Sequence, residues 1–289
     1  MFVCQGRAVA DGRIGVGSFA DPIAGRLLSE AELTPVRMAR RGAAVADARE
    51  RYAVRSVVSC AEVVAPRTVL IDAAVTEAIE RRADSQVVLL GAGLDGRPWR
   101  LAALRDVTVM SVDHPASQAD LRRRARGLPA AACDLRFVAV DLARGQLAPA
   151  LAAGGHDPRR PTVWVWEGVI PYLARQEVAD TLDALTAVSG EGSTLVAQYQ
   201  SRSVAAQLGR AVAGLVARAS GVPSPLAGEP WRSLWSEARM GALLTGRGWA
   251  VETDLDLLEY ARRIGTPTES ARSLVSGRVV LARVQRPVA

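Results

Sequence analysis

The residues with the clearest chemical potential lie in a glycine-rich turn that follows an apolar run. Val87 to Leu90 has the composition of a buried strand, and Gly91-Ala-Gly93-Leu-Asp95-Gly96 follows it directly. Glycine lets backbone N–H groups approach a ligand where a Cβ atom would collide. A strand that breaks into such a turn before a helix is typical of a cofactor cleft in an open α/β sheet.

The spacing of Gly91, Gly93 and Gly96 matches the dinucleotide fingerprint Gly-x-Gly-x-x-Gly. Asp95 stands inside the turn, where its carboxylate would repel a pyrophosphate, and Pro98 is typical of the first turn of a helix. The turn therefore favours a ligand that is cationic or carries an amine. The glycines alone also leave open a simple strand-to-helix turn that binds nothing.

Acidic residues follow four successive predicted strands. Asp95 follows the first, and Asp113, Asp141 and Glu167 close the second, third and fourth. Ligands of doubly wound folds bind outside the carboxyl ends of the strands, although a single acid there often only caps the next helix. Four in succession indicate either a hard metal site or hydrogen bonds to a nucleoside and an amino group.

The spacing of these acids suits an adenosine that carries an amino-acid head. Asp113 lies 20 residues after Gly93, which is the ribose-binding position in such folds. Asp141 can accept a hydrogen bond from an exocyclic amine while Leu142 packs on the base, and Glu167 can hold an ammonium group. S-adenosyl-L-methionine meets all of these demands.

The same stretches resemble the leucine carboxyl methyltransferase group, a set of class I S-adenosylmethionine-dependent enzymes. The resemblance covers most of residues 18–200, and within it a bacterial subgroup with O-methyltransferases of polyketide and peptide natural-product pathways is most similar. Known members place a methyl group on a carboxylate. The motifs that carry the resemblance are Phe19–Ala24, Arg67–Asp72, Val88–Arg97, Asp113–Pro115, Val140–Leu142 and Trp166–Leu173.

The resemblance implies a role for each motif. Arg67 would pair with the methionine carboxylate of the cofactor, Gly91 and Gly93 would lie along its methionine part, and Tyr172 would sit close to the transferred methyl group. The expected cofactor residues are Arg67, Gly91, Ala92, Gly93, Asp95, Asp113, His114, Asp141, Leu142, Glu167 and Gly168. The expected acceptor-binding residues are Tyr172, Tyr199 and Trp235, and the expected product of the cofactor is S-adenosyl-L-homocysteine.

Three positions depart from the family pattern. Gly96 replaces the usual Thr after the Asp of the glycine motif, and Arg122 to Arg124 stand where the family often has Lys. Ile170-Pro171-Tyr172 replaces the usual Leu-Met-Tyr. These departures bear on the acceptor more than on the cofactor.

Composition argues against several classes of function. The formal net charge is +6, and every basic residue is Arg. The Arg residues are scattered, and the densest cluster, Arg122 to Arg126, is predicted to be the solvated face of a helix, so no nucleic-acid partner is expected. Three separated cysteines and two histidines give neither zinc-ligand spacing nor a Ser-His-Asp triad. His156, in a Gly-Gly-His-Asp-Pro loop, is predicted to be exposed.

Neither a membrane span nor a secretion signal is predicted. No stretch reaches the roughly 18 apolar residues that span a bilayer, and Met1 to Arg7 lacks an apolar signal region after a basic start. The expected location is cytoplasmic, with no membrane partner, and the oligomeric state stays open.

Strands alternate with helical segments from residue 86 onward, which predicts an α/β, Rossmann-like sheet of seven mostly parallel strands. The last two strands are expected to pair with each other, with one of them antiparallel at or near the sheet edge. Pro22 to Glu32, Pro35 to Val58 and Val69 to Ala83 are predicted helices. The predicted strands are Val87–Leu90, Thr108–Val112, Arg136–Val140, Thr162–Trp166, Thr194–Tyr199, Trp249–Thr253 and Val279–Val284.

The chain is expected to form a single methyltransferase domain over residues 1–289. Residues 1–85 form a helical N-terminal cap, 86–200 the cofactor core, 201–245 a substrate lid and 246–289 the C-terminal strands. Within the lid, Trp231 and Trp235 are predicted to lie on a helix.

The absence of an acid–base pair favours a carboxylate acceptor. A carboxylate is already ionised at pH 7, whereas a phenol, with a pKa of about 10, needs a base, for which His114 is the obvious candidate. The alternatives left open are a phenol or hydroxyl O-methyltransferase, an NAD(P)-dependent oxidoreductase and a cofactor-binding partner protein without catalysis.

Overall fold

The protein was analysed as a computed structural model that describes residues 1–15, 17–42, 45–142, 146–201, 231–269 and 276–285. The chain forms two compact units. The described parts of the first lie within residues 1–70 and 256–277, and those of the second within residues 71–201, 231–255 and 278–285. The expected division into a single domain with a cap and a lid stays a prediction.

A seven-stranded sheet dominates the second unit and confirms the predicted α/β class. The strand order is β3-β2-β1-β4-β5-β7-β6, and the pairs β3–β2, β2–β1, β1–β4 and β4–β5 are parallel. The strands are β1 Gln86–Leu90, β2 Thr108–Asp113, β3 Asp134–Ala139, β4 Thr162–Trp166, β5 Thr194–Gln200, β6 Trp249–Asp256 and β7 Gly277–Val284.

The last strand is inserted between β5 and β6. At its end, Val284 N donates to Ser193 O, just before β5 begins, and Gln285 N donates to Gly248 O, just before β6 begins. The end of β7 therefore lies beside the beginnings of both neighbours. This is an antiparallel arrangement, and it confirms the expected antiparallel strand near the sheet edge.

Both faces of the central strands are covered. Val88, Leu90, Trp164 and Trp166 belong to a core that includes apolar residues of the helices around residues 147–151, 178–185 and 240–244. The alternate residues, such as Val87 and Val165, are at most 2% exposed as well. Burial on both faces explains why these strands are continuous apolar runs.

The N-terminal helices differ from the prediction at their ends. The helix predicted over Pro22 to Glu32 is only a 3₁₀ turn, Ala24–Leu27, because Ser29 starts a new helix with a capping box to Glu32. The helices are α1 Phe2–Ala10, α2 Glu30–Arg41, α3 Ala48–Arg81, α4 Arg97–Arg100, α5 Pro115–Ala125, α6 Leu147–Ala153, α7 Arg175–Ala187, α8 Glu237–Thr245 and α9 Leu257–Arg263.

The predicted break near Pro66 was wrong. The sequence prediction ended one helix at Val58 and began the next at Val69. In the structure, α3 continues through Pro66, while Gly42, with φ of 62°, ends α2. Buried side chains on both sides of the proline, including Val64 and Thr68, offset the lost hydrogen bond.

Most of the expected lid lies outside the described residues, which resume at Trp231. Trp231 and Trp235 are not on a helix, contrary to the prediction. Trp235 forms an isolated bridge with Ser201, and α8 begins only at Glu237, where the Ser236 hydroxyl accepts from Arg239 N. Among the described residues, no helix combines the length and the apolar character needed to cross a bilayer.

The predicted exposure of His156 was wrong. Its side chain is buried, its ring lies 5.4 Å from that of Trp164, and its Nε2 is 3.0 Å from the Thr162 hydroxyl. Burial lowers the pKa of His156 to about 4, against which Asp157 acts only weakly. The imidazole is therefore a neutral core group at pH 7.

This burial makes stability depend on pH. Between about pH 6.5 and 4 the unfolded chain binds a proton at His156 that the folded chain does not, so acidification destabilises the folded state. We expect the stability advantage of the wild type over His156→Gln at pH 7 to shrink by about 1 kcal/mol per pH unit across this window. Urea unfolding at pH 7, 5.5 and 4.5 measures it, and an advantage that stays constant would contradict the assignment.

The turn after β1 is tightly packed against the loop after β4. Gly91 has φ of 63°, and a Cβ atom there would overlap Val169 Cγ2. Gly168 has φ of 71°, but a Cβ atom there would meet nothing within 4 Å. Both positions need a left-handed backbone conformation, but only at Gly91 would a side chain also collide with a neighbouring residue.

We expect Gly91→Ala to destabilise the fold by about 2–4 kcal/mol, the sum of left-handed backbone strain and overpacking. Gly168→Ala is the matched control and should cost only about 1–2 kcal/mol of backbone strain. The double variant Gly91→Ala with Val169→Ala should regain the part of the stability that Gly91→Ala loses through overpacking. Denaturant unfolding of the wild type and the three variants measures these differences, and equal costs for the two glycines would show that the contact with Val169 is unimportant.

Candidate active site

The register of the parallel strands brings the predicted site residues to one edge of the sheet. Leu90, the last residue of β1, pairs with Val112 of β2 and with Trp166 of β4. The next residue in each segment is Gly91, Asp113 or Glu167. The glycine turn and two of the predicted acids therefore start from the same level of the sheet.

The glycine turn is closed by backbone hydrogen bonds. Ala92 N donates to Val112 O over 3.1 Å, and Asp95 N donates to Ala92 O over 3.0 Å. Gly91 and Gly93 have φ of 63° and 53°, a region that costs other residues about 1–2 kcal/mol. The turn is thus a narrow cradle with little side-chain bulk.

Asp113 is held by the backbone beside this cradle. Its Oδ2 accepts from Gly93 N and its Oδ1 accepts from His114 N, each over 2.6 Å. A carboxylate has about four acceptor positions. The half-buried side chain can therefore fix the turn and still accept hydrogen bonds from ribose hydroxyls.

His114 begins helix α5. Its Nδ1 accepts from Ala116 N over 3.3 Å, and Pro115 occupies the first helical position. With Nδ1 as the acceptor, the neutral imidazole carries its proton on Nε2. The side chain is exposed and lines the groove described next.

An open groove of about 640 Å³ lies beyond the ends of β2 and β3, within the range of roughly 300–1,000 Å³ typical of small-molecule sites. It combines apolar walls with the carboxylate of Asp141, and Leu142 packs beside it against the core. An adenine ring with an exocyclic amine fits this chemistry. The lining residues are His114, Pro115, Ala139, Val140, Asp141, Gln146, Pro149 and Ala150.

Sequence reasoning missed the residue that organises the acids, Arg97. Its guanidinium is fully buried and binds three carboxylates: Nε to Asp72 at 2.6 Å, Nη1 to Asp95 at 2.6 Å and Nη2 to Glu167 at 2.8 Å. Asp95, which the sequence assigned to a cationic ligand, thus pairs with a cation of its own chain. The Asp-Gly-Arg spacing was the only local sign of this contact, because Asp72 and Glu167 are remote in sequence.

The Arg97 cluster, which is Arg97 with its partners Asp72, Asp95 and Glu167, favours the charged form of the guanidinium. Burial by itself lowers the pKa of Arg97, but the nearby carboxylates of Asp95, Glu167 and Asp72 raise it well above the ordinary value. Arg100 also binds Asp72, at 2.5 Å. Among the described residues, no group of three or more acids, histidines or cysteines is arranged to hold a metal ion.

The loop after β4 carries Gly168 and Tyr172. Gly168 N donates to the Gln198 side chain over 3.1 Å, and Tyr172 ends a 3₁₀ turn that begins at Ile170. The Pro171 carbonyl accepts from the backbone N–H groups of Arg232, at 2.7 Å, and Ser233, at 3.2 Å. Pro171, a departure from the family pattern, therefore ties this loop to the described part of the expected lid.

Tyr199 and Trp235 are buried and engaged by their own chain. The Tyr199 hydroxyl donates to Asp254 over 2.6 Å, and burial, followed by this hydrogen bond, raises the pKa of Tyr199 far above the usual value. Trp235 Nε1 donates to the Ser233 hydroxyl, and Arg175 stacks over the ring at 5.1 Å. Their expected contact with the acceptor stays a prediction.

Arg67 lies in the first compact unit, on helix α3, where its side chain is buried. Its expected pairing with the cofactor carboxylate also stays a prediction. The same holds for the cofactor contacts expected of Ala92 and Gly168, both of which are half-buried in the second unit.

Known proteins resemble this chain in sequence and in fold. The model of the leucine carboxyl methyltransferase family matches residues 1–186. A candidate S-adenosyl-L-methionine-dependent methyltransferase of Frankia alni is 36% identical over 203 residues, which are 68% of this chain and 65% of that protein. Another, of Mycolicibacterium vanbaalenii, is 43% identical over 115 residues, which are 39% of this chain and 38% of that protein.

Each of these matches thus spans less than two thirds of the relative's own length. Among solved structures, the magnesium protoporphyrin IX methyltransferase of Synechocystis, crystallised with bound S-adenosylhomocysteine, superposes with a TM-score of 0.50 at 13% identity. The superposition covers 89% of this chain and 95% of that one, and at this identity it shows the fold alone. The chain belongs to the leucine carboxyl methyltransferase family of S-adenosylmethionine-dependent enzymes, and its sheet has the class I methyltransferase fold.

Proposed function

We propose that this protein transfers a methyl group from S-adenosylmethionine to a carboxylate of a small-molecule or peptide natural product, giving a methyl ester. The observation that carries the proposal is the state of His114. This residue is the base that a phenol acceptor would need, and its Nδ1 is occupied as the cap of helix α5. A carboxylate acceptor needs no base at pH 7.

The proposed cofactor site follows the edge of the sheet. Asp113 binds the ribose, and the groove beside Asp141 binds the adenine. The turn from Gly91 to Gly93 lies along the methionine part, where the absence of side chains gives room. Glu167 lies at the amino-acid end. The cofactor supplies a methyl group that is electrophilic because it is bonded to a sulfonium.

The contribution of the protein to the reaction is position and exclusion of water. Tyr172 borders the acceptor in this proposal, on a loop that Arg232 and Ser233 hold at Pro171. A loop fixed in this way keeps the acceptor oxygen in line with the methyl carbon, and positioning of this kind accounts for much of the rate of bimolecular transfers. A site that excludes water also removes the hydration shell that would otherwise shield the acceptor carboxylate during the transfer.

The phenol of Tyr199, near the end of β5, is a poor base. The Tyr199 hydroxyl is already a donor to Asp254, and its raised pKa keeps the proton on oxygen. Asp95 and Glu167 bind Arg97, and this contact directs their carboxylates towards that guanidinium. The described side chains therefore suit an acceptor that arrives already ionised.

We expect Asp113→Ala to weaken binding of S-adenosylhomocysteine by tenfold or more, because the variant loses the ribose acceptor and the anchor of Gly93. Asp120→Ala removes an acid of helix α5 that pairs with Arg123 and Arg124, and it should bind like the wild type. Isothermal titration calorimetry measures both. Unchanged affinity in Asp113→Ala would remove this residue from the site, and no wild-type binding at millimolar ligand would contradict the cofactor assignment.

We expect the methylated product to be labile to alkali. With a methyl-labelled cofactor and a panel of carboxylic acids, mild base should release the label as volatile methanol, because esters hydrolyse where methyl ethers do not. Matched phenols are the control acceptors. Label that is stable to base, or incorporated only into the phenols, would favour the alternative of a phenol or hydroxyl acceptor.

A further inference from the structure

Arg97 is the one described residue that contacts three acids of the candidate site at once. Its side chain is 0% exposed, while the side chains of Asp95, Glu167 and Asp72 keep 9%, 10% and 17% of their surface. The guanidinium is therefore out of reach of a ligand at this edge of the sheet, whereas the acids around it keep a little exposed surface. Any effect of Arg97 on a ligand must act through the acids it binds.

The three acids come from separate segments of the chain. Asp72 lies on the last third of helix α3, Asp95 lies in the glycine turn, and Glu167 directly follows β4. Arg97 is the first residue of the single-turn helix α4, and its own N–H donates to Asp95 Oδ1 over 2.8 Å. Both the backbone and the side chain of Arg97 are thus fixed relative to the turn.

From this geometry we propose that Arg97 is a positioning residue that sets the direction of the Glu167 carboxylate at the amino-acid end of the cofactor site. The inference rests on the proposed function, since it takes the cofactor as the ligand. Nη2 binds Glu167 Oε2 over 2.8 Å, which fixes the position of this oxygen. In the proposal, the carboxylate held in this way binds the ammonium group of the cofactor.

Only arginine can make this set of contacts. The planar guanidinium presents five donors in a rigid fork, whereas a lysine ammonium is a point charge on a flexible stem. A lysine at position 97 would keep the charge but could not reach acids on three sides. Glu167 would then be released to other orientations, without loss of the net charge of the cluster.

The test compares two ligands that share the adenosine but differ in the amino-acid head. S-adenosylhomocysteine carries the amino-acid head, and 5′-methylthioadenosine lacks it but keeps the adenosine. In Arg97→Lys we expect the affinity for S-adenosylhomocysteine to fall by tenfold or more, and that for 5′-methylthioadenosine to stay within twofold. Calorimetry with both ligands, together with thermal unfolding of each variant, measures this selectivity.

Arg100→Lys is the matched control, because Arg100 is 5% exposed and lies on the same helix but binds Asp72 rather than Glu167. It should leave the ratio of the two affinities at the wild-type value. If Arg97→Lys does not fold, Asp72→Asn serves instead, since it loosens the Arg97 Nε contact. We expect the same selective loss there, at about threefold.

The outcomes are distinguishable. Equal weakening of both ligands, or an unchanged ratio in Arg97→Lys, would overturn the positioning role and leave a purely structural one. A wild-type protein that binds 5′-methylthioadenosine but not S-adenosylhomocysteine would also overturn it. Failure of the wild type to bind either ligand would contradict the proposed function itself, whatever the variants do.

Discussion

Burying a charged group costs free energy unless groups of opposite charge are buried beside it, and the site depends on one such set of ion pairs. The guanidinium of Arg97 is wholly buried among three carboxylates, and removing one partner from a buried ion pair typically costs about 3–5 kcal/mol. The acids belong to a helix, a turn and a strand end: the sheet register brings the turn and the strand end to one level, and the shared guanidinium joins the helix to them. The Arg97 cluster therefore holds the glycine turn and the loop after β4 in a common geometry.

Several polar side chains of the site have two functions. Asp113 fixes the glycine turn through Gly93 N and, in the proposed site, also binds the ribose. His114 caps helix α5 and lines the groove. Because a carboxylate or an imidazole has more hydrogen-bonding positions than one contact uses, the protein can build its fold and its ligand site from the same atoms. Such a site is largely formed before the ligand arrives.

Local patterns predicted the sheet and the acids at its edge, because both follow from short-range rules. The predicted β4 has the observed bounds, and β3 is displaced by only one or two residues. The errors concern residues whose surroundings are assembled from a distance. Proline at position 66 lies within a helix because tertiary packing offsets its lost hydrogen bond, and His156 is buried because Trp164 covers it. Arg97 was missed because two of its three partners lie more than 20 residues away in sequence.

The position of β7 has a consequence for how the sheet is completed. The seventh strand in chain order, β7, is an internal strand, and β6, which precedes it in the chain, lies at the edge. During synthesis, β6 has no neighbour in the sheet until residues 277–284 have been made, and one edge of β5 stays open from the completion of β5 until then. An open strand edge is a template for association with other chains. The nascent protein therefore exposes unpaired edges of both β5 and β6 until β7 fills the place between them.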